Sequence, residues 1–316
     1  MSFAAPGVGL PDPCNLRQLP ASRSPLPASC WTFFVVMESV SGYLRRTGEF
    51  EAGEARRILH GRKQTVFRGI MNRTARLFIL QAVFLSMSFA AAAEQFDSDI
   101  IKTSEGRLQI TFLGHASLRM DFHGRNIYID PSSEVADFSE MPKADIILFT
   151  HEHSDHFDLK ALSELRTENT LVVLPEICAS KYGEGIIMKN EDVKIVQGLK
   201  IEGVPAYNIV HKRASGFPYH LKGIGNGYII TFGDKRVYVA GDTEKIPEMD
   251  ELSDIDVAFL PVALPDAMTV EMAADAVKAI KPSIVYPYRY GDTDIAALKE
   301  LLKDQSETEL RIRNLK

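Results

Sequence analysis

Cysteine is scarce in this chain. Three occur in 316 residues, Cys14, Cys30 and Cys178. Only Cys178 falls after residue 93, so that stretch has no internal disulfide and cannot hold a metal through thiolates. Positive charge is short in the same region. Residues 1–93 carry 11 Lys+Arg against 5 Asp+Glu, whereas residues 94–316 carry 25 against 37, a net of −12. Such a body lacks the basic face that a phosphate backbone requires, which argues against nucleic acid as the main partner. It leaves room for a small anion at a local positive site. A hydrophobic run of membrane length is also missing: the apolar stretch at residues 77–89 is too short for an easy span. Nor is there an internal repeat of fixed short period or a long linker.

What is present divides the chain in two. Arg73 and Arg76, the apolar run at 77–89 and the small residues Ala91, Ala92 and Ala93 have the order of a secretory signal peptide over 71–93. Met71 stands just before it, which suggests a natural start there. Residues 1–70 then read as a disordered or spurious upstream extension, because residues 1–30 hold six prolines and residues 45–68 are Arg-rich without an apolar face. Residues 94–316 form the functional unit, expected in the periplasm or outside the cell, with no stable membrane insertion once the signal is removed.

Within that unit Leu108, Ile110 and Phe112 alternate as in a half-buried strand, and residues 118–122 do the same. Residues 123–126 read as a hairpin turn into a strand at 127–129. The apolar runs 146–150, 171–174, 255–260 and 283–286 read as buried strands, and 228–232 with 236–240 as a second hairpin around Gly233-Asp234. Asp158 is placed to cap a helix that buries Leu159, Leu162 and Leu165. Val270, Ala273, Ala274, Val277 and Ile280 have helical spacing up to Lys281-Pro282, and Ile295, Leu298, Leu301 and Leu302 give a last amphipathic helix. Hairpins followed by strand–helix alternation predict mixed sheets with helices outside.

The chemistry gathers at His151-Glu152-His153-Ser154-Asp155-His156, directly after a predicted strand. In extended chain His151 and His153 point to one side. Imidazole nitrogen with carboxylate oxygen suits zinc, with iron and manganese as competitors. Together with Ala240-Gly241-Asp242-Thr243 the cluster resembles the metallo-β-lactamase-fold hydrolases, across most of residues 106–315. Phe112-Leu113-Gly114-His115-Ala116-Ser117, Ile129-Asp130-Pro131, Val204-Pro205-Ala206-Tyr207-Asn208, Gly227-Tyr228-Ile229-Ile230 and Leu310-Arg311-Ile312-Arg313 look like its ascorbate-phosphate-lactonase-like branch. The resemblance implies an α/β fold with mixed sheets, a four-layer αββα sandwich. It implies one metal ion on His151 and His153, a second on Asp155 and His156, and Asp242 bridging them. A metal-bound hydroxide would be the nucleophile, and Asp130 would orient a ligand histidine or merely end a strand.

Two histidines of that pattern are missing. Asn208 stands where a third histidine often completes the first site. Pro287-Tyr288-Arg289-Tyr290 stands where the resembling branch reads Pro-Tyr-His-Tyr. Arginine stays protonated and has no lone pair to give. A guanidinium ~4 Å from a metal site would oppose a cation by about 4 kcal/mol at an effective dielectric near 20. Arg289 therefore points elsewhere, replaces the second metal as an anion-binding group, or marks loss of catalysis. His115 and His220 are expected as substrate contacts, proton donors or replacement ligands; Asp155 and His220 are the expected catalytic groups. His211 is expected at the surface, and Tyr288 and Tyr290 either line the cleft or pack. The leading expectation is a hydrolase using one or two zinc ions on a small polar molecule such as a lactone or phosphoester. The alternative is a non-catalytic metal- or ligand-binding protein with a degenerate second site.

Overall fold

Alternation at period two decides which face each strand buries. A computed structural model describes residues 96–315, so the readings of 1–70 and 71–93 lie outside the described residues. Leu108, Ile110 and Phe112 are buried on β2 (Gly106–Gly114), which lies antiparallel between β1 (Ser98–Thr103) and β3 (Ser117–Phe122). The predicted turn has His123 and Gly124 at φ 57° and 75° and leads into β4 (Arg125–Ile129). Pairing then becomes parallel through β5 (Ile146–Leu148), β6 (Leu171–Leu174) and β7 (Ile186–Ile187), with α1 (Leu159–Leu165) and α2 (Glu176–Tyr182) as crossovers.

The second sheet repeats this plan. Its strands β8 (Val193–Val196), β9 (Leu199–Ala206), β10 (Gly225–Phe232) and β11 (Lys235–Val239) are antiparallel. From β11 the pairing is parallel through β12 (Val257–Pro261), β13 (Ile284–Tyr288) and β14 (Glu309–Leu310). The helices α3 (Val270–Ile280) and α4 (Ala296–Leu301) form these crossovers. Among the described residues each sheet thus has seven strands in sequence order. The repeat is one of topology, which is why no short sequence period announces it.

Ile146 and Leu148 face the core shared by the two sheets, with Tyr228 and Ile230. Ile147 and Phe149 face the other way, against Leu162 and Leu165 of α1 and Cys178 of α2. On the far side Ala273, Ala274, Val277 and Ile280 seat α3 on the second sheet. The result is the expected layering of helix, sheet, sheet and helix. Among the described residues no helix is long and apolar enough to cross a membrane.

One buried face departs from expectation. Asp158 does cap α1, accepting from the backbone N–H of Lys160 and Ala161. The helix, however, buries Ala161, Leu162 and Leu165 and leaves Leu159 48% exposed. The Asp158 carboxylate is also held by Ser133, through its N–H at 2.7 Å and its hydroxyl at 2.6 Å. That second attachment fixes the start of the helix and turns its first residue outward. Leu301 of α4 is likewise exposed, while Ile295, Leu298 and Leu302 are buried.

Two hydrogen bonds join the sheets at one end. Tyr228 Oη donates to the Phe149 carbonyl (2.8 Å), and Asn226 N–H donates to the Thr150 carbonyl (2.8 Å). They press the histidine-rich loop after β5 against the start of β10.

Candidate metal centre

Asp130 and Asp242 come from corresponding corners, the ends of β4 and β11. Asp130 is fully buried at φ 42°. Its carboxylate accepts from Thr150 N–H (2.7 Å), Thr150 Oγ1 (2.5 Å) and His156 Nδ1 (2.8 Å). It therefore holds the histidine loop by its backbone and turns the His156 ring so that Nε2 faces Asp242 Oδ1 at 3.5 Å and Asp155 Oδ2 at 3.7 Å. Asp130 thus fixes the His156 ring as well as ending a strand. Burial would push His156 down, but the Asp242 charge and the Asp130 hydrogen bond outweigh it and raise it to about 10. This corner attracts positive charge.

Gly241 sets the approach of Asp242. It has φ +68°, and a Cβ there would lie 2.9 Å from the Asn226 carbonyl oxygen. Asp242 then lies among three imidazoles. One ligand atom each from His151, His153, His220 and Asp242 falls within 4.8 Å of the others. His151 Nε2 and His220 Nε2 are 3.7 and 3.6 Å from Asp242 Oδ2, and His220 Nε2 is 3.1 Å from His153 Nδ1. His151 Nε2 and both Asp242 oxygens are buried and receive no hydrogen bond. Asp242 Oδ2 has the Arg289 guanidinium 3.1 Å away, whereas His151 Nε2 has no hydrogen-bond partner at all. Leaving such a group unsatisfied costs about 1–3 kcal/mol, and a cation shared with Asp242 would satisfy it. Burial would raise Asp242, yet the His156 and Arg289 charges hold it well below the usual carboxylate range. Burial and His156 push His151 down, keeping its ring neutral as a metal ligand must be. The donor set fits one divalent ion.

His220 enters this group because Asn208 holds it. Asn208 Oδ1 accepts from His220 N–H (2.9 Å) and from His220 Nδ1 (2.8 Å), while Asn208 N–H donates to the His220 carbonyl (3.0 Å). Asn208 therefore does not face the cleft in place of a histidine; it orients the histidine that does. Sequence reasoning also missed what anchors this loop. Glu244, fully buried, accepts from the N–H groups of Ile209, Val210 and His211, each at 2.7 Å, and from His211 Nδ1 at 2.6 Å. His211 is thus half-buried against a carboxylate rather than free at the surface.

The second position is different. His115, Asp155 and His156 gather there, with His115 Nε2 3.6 Å from Asp155 Oδ2. Burial, then His156 and Arg289, push His115 down to about 4. The Arg289 guanidinium sits against this group, 3.1 Å from Asp242 Oδ2 and 3.5 Å from Asp155 Oδ2. Asp266, on the loop after β12, grips it with both oxygens at 2.9 and 3.0 Å. No sequence signal marked Asp266. Arg289 is buried, and its cation is held by carboxylates on three loops, so it does not point elsewhere. The buried guanidinium lies against the carboxylates of this group, and its charge opposes a cation there. Tyr288 is fully buried and Tyr290 nearly so, both packing in the core.

Compared with known proteins, the sequence matches over residues 109–289 the family described as a beta-lactamase superfamily domain. A metal-dependent hydrolase of Methanopyrus kandleri is 33% identical over 196 residues, covering 58% of this chain and 84% of that protein. Among solved structures, a candidate metal-dependent hydrolase of Parabacteroides distasonis superposes with a TM-score of 0.68 at 48% identity, covering 70% of this chain and all of that one. The metallo hydrolase Igni18 of Ignicoccus hospitalis, at 24% identity and TM-score 0.54 over 66% of this chain and 95% of its own, shares the fold.

Proposed function

From the premise that the chain belongs to the metallo-β-lactamase superfamily and is a metal-dependent hydrolase, we propose that it works with a single ion, zinc, held by His151, His153, His220 and Asp242. The observation that carries this is the buried, unpartnered His151 Nε2, which faces the Asp242 carboxylate and two further imidazoles. Three imidazoles and one carboxylate suit zinc, with iron or manganese as competitors. Such an ion, when bound, supplies an activated water near neutral pH.

The chain's own groups do the rest. Arg289 provides the fixed positive charge that a second ion would otherwise bring. Asp155 is kept ionised, because the His156 and Arg289 charges outweigh the effect of burial. It is partly exposed, between His115 and Arg289, and would serve as the proton acceptor. His115, neutral at pH 7, steadies Asp155 from behind. The substrate is a small molecule with a hydrolysable lactone or phosphoester bond.

A panel of lactones and phosphomono- and diesters, assayed with zinc-loaded protein, is expected to give turnover that His153→Ala abolishes. Turnover unchanged in His153→Ala would sink the site. No turnover in the wild type would leave a metal-binding protein. Action outside the cytoplasm is proposed from the signal-like segment at 71–93. N-terminal sequencing of the native protein is expected to find a product beginning near Glu94, and one that retains residues 71–93 would refute export.

A further inference from the structure

A cavity of about 250 Å³ opens beside the three-imidazole group, walled by His153, His220, Arg213, Phe217, Leu221 and Ile224 among others. It is smaller than the ~300–1,000 Å³ of clefts that take drug-sized ligands. Arg213 is built into its rim. The N–H of Arg213 donates to the Phe217 carbonyl and the N–H of Gly216 to the Arg213 carbonyl, both at 2.8 Å, closing a tight turn. The guanidinium lies over the Tyr219 ring at 5.0 Å and donates to the Tyr219 carbonyl at 3.2 Å. Among the described residues it has no carboxylate within ion-pair distance, unlike Arg289. Glu152 lines the same cavity and makes no ion pair with it.

Arg213 Nη2 stands 3.4 Å from His153 Nε2. The guanidinium thus reaches the edge of the ligand group while carrying a charge that no carboxylate among the described residues answers. An oxygen carrying negative charge would accept from it, and charge-assisted bonds of this kind are the strong ones. Next to this point Phe217, Leu221 and Ile224 are 66%, 49% and 38% exposed. Apolar side chains left open around a cavity mark a ligand surface.

Resting on the hydrolase reading, we propose that this cavity selects an amphiphilic anion: an oxyanion on the Arg213 guanidinium beside His153, with an apolar remainder on Phe217, Leu221 and Ile224. Carboxylates and phosphate monoesters share that chemistry. The test is calorimetric binding to zinc-loaded protein, with hexyl phosphate, hexanoate, hexanol and inorganic phosphate as probes. One or both hexyl anions are expected to bind, and the tighter identifies the head group. Hexanol is expected to bind far more weakly. Arg213→Gln is expected to weaken the anions by roughly ten- to a hundredfold, with Arg213→Lys between. Phe217→Ala is expected to weaken hexyl phosphate and leave inorganic phosphate unchanged. Equal binding of anions by wild type and Arg213→Gln, or binding of hexanol as tight as that of the anions, would overturn the proposal. The two readings fail separately. Arg213-dependent binding without turnover of any ester removes the hydrolase reading alone. Turnover of anionic esters with KM unchanged in Arg213→Gln removes this one alone.

Discussion

His220→Ala is expected to leave the purified protein nearly free of zinc, and to lower ester hydrolysis by more than Asn208→Ala does. Elemental analysis and steady-state kinetics measure the two effects. The order follows from geometry. His220 Nε2 lies within the ligand group, 3.6 Å from Asp242 Oδ2, so its loss removes one of four donors. Asn208 acts one step away, through the bonds that fix the His220 ring and backbone. Removing such an orienting partner costs roughly 10–100-fold in metal affinity or activity. His220 lies on a loop between strands, so both variants should keep the native circular dichroism spectrum. Unchanged zinc in His220→Ala, with zinc lost in Asn208→Ala, would make Asn208 the ligand and refute the assignment.

Arg289 gives the second large effect. Arg289→Ala removes the guanidinium that lies against Asp155, Asp242 and Asp266 together. Breaking a buried ion pair from one side destabilises by about 3–5 kcal/mol. The metal-free variant is expected to lose stability on that scale in urea, and excess zinc is expected to restore it by entering the vacated position. Arg289→His goes further: it supplies a lone pair where the guanidinium stood, and metal content is expected to rise from one ion per chain toward two. If the variant binds one ion as the wild type does, the argument that Arg289 replaces the second metal fails.

The sequence made the histidine loop and Asp242 legible because their spacing and neighbouring strands are local. Residues 151–156 sit in one turn, and Asp242 follows a strand with strong hairpin signals. The strand alternation was equally readable, since Leu108, Ile110 and Phe112 declare their buried face. The rest depended on chain reversal. Whether Asn208 or His220 enters the cleft is decided by a mutual clasp across twelve residues, which no periodicity records. Asp266 meets Arg289 from another crossover. Glu244 binds backbone N–H groups of Ile209 and Val210, whose apolar side chains gave no hint of a polar anchor. The short elements β1, β7, β8, β14 and α2 escaped because packing, not propensity, defines them.

The doubled topology has a consequence for how the protein holds together. His151 and His153 belong to the first seven-strand half, and His220 and Asp242 to the second. Neither half owns a full set of donors. An ion bound there acts as a staple across the seam between the two sheets, so its binding free energy is added to the cohesion of the halves. At a free concentration one hundred times the Kd, that addition is about 2.7 kcal/mol. Losing the ion would then loosen the seam as well as silence the chemistry.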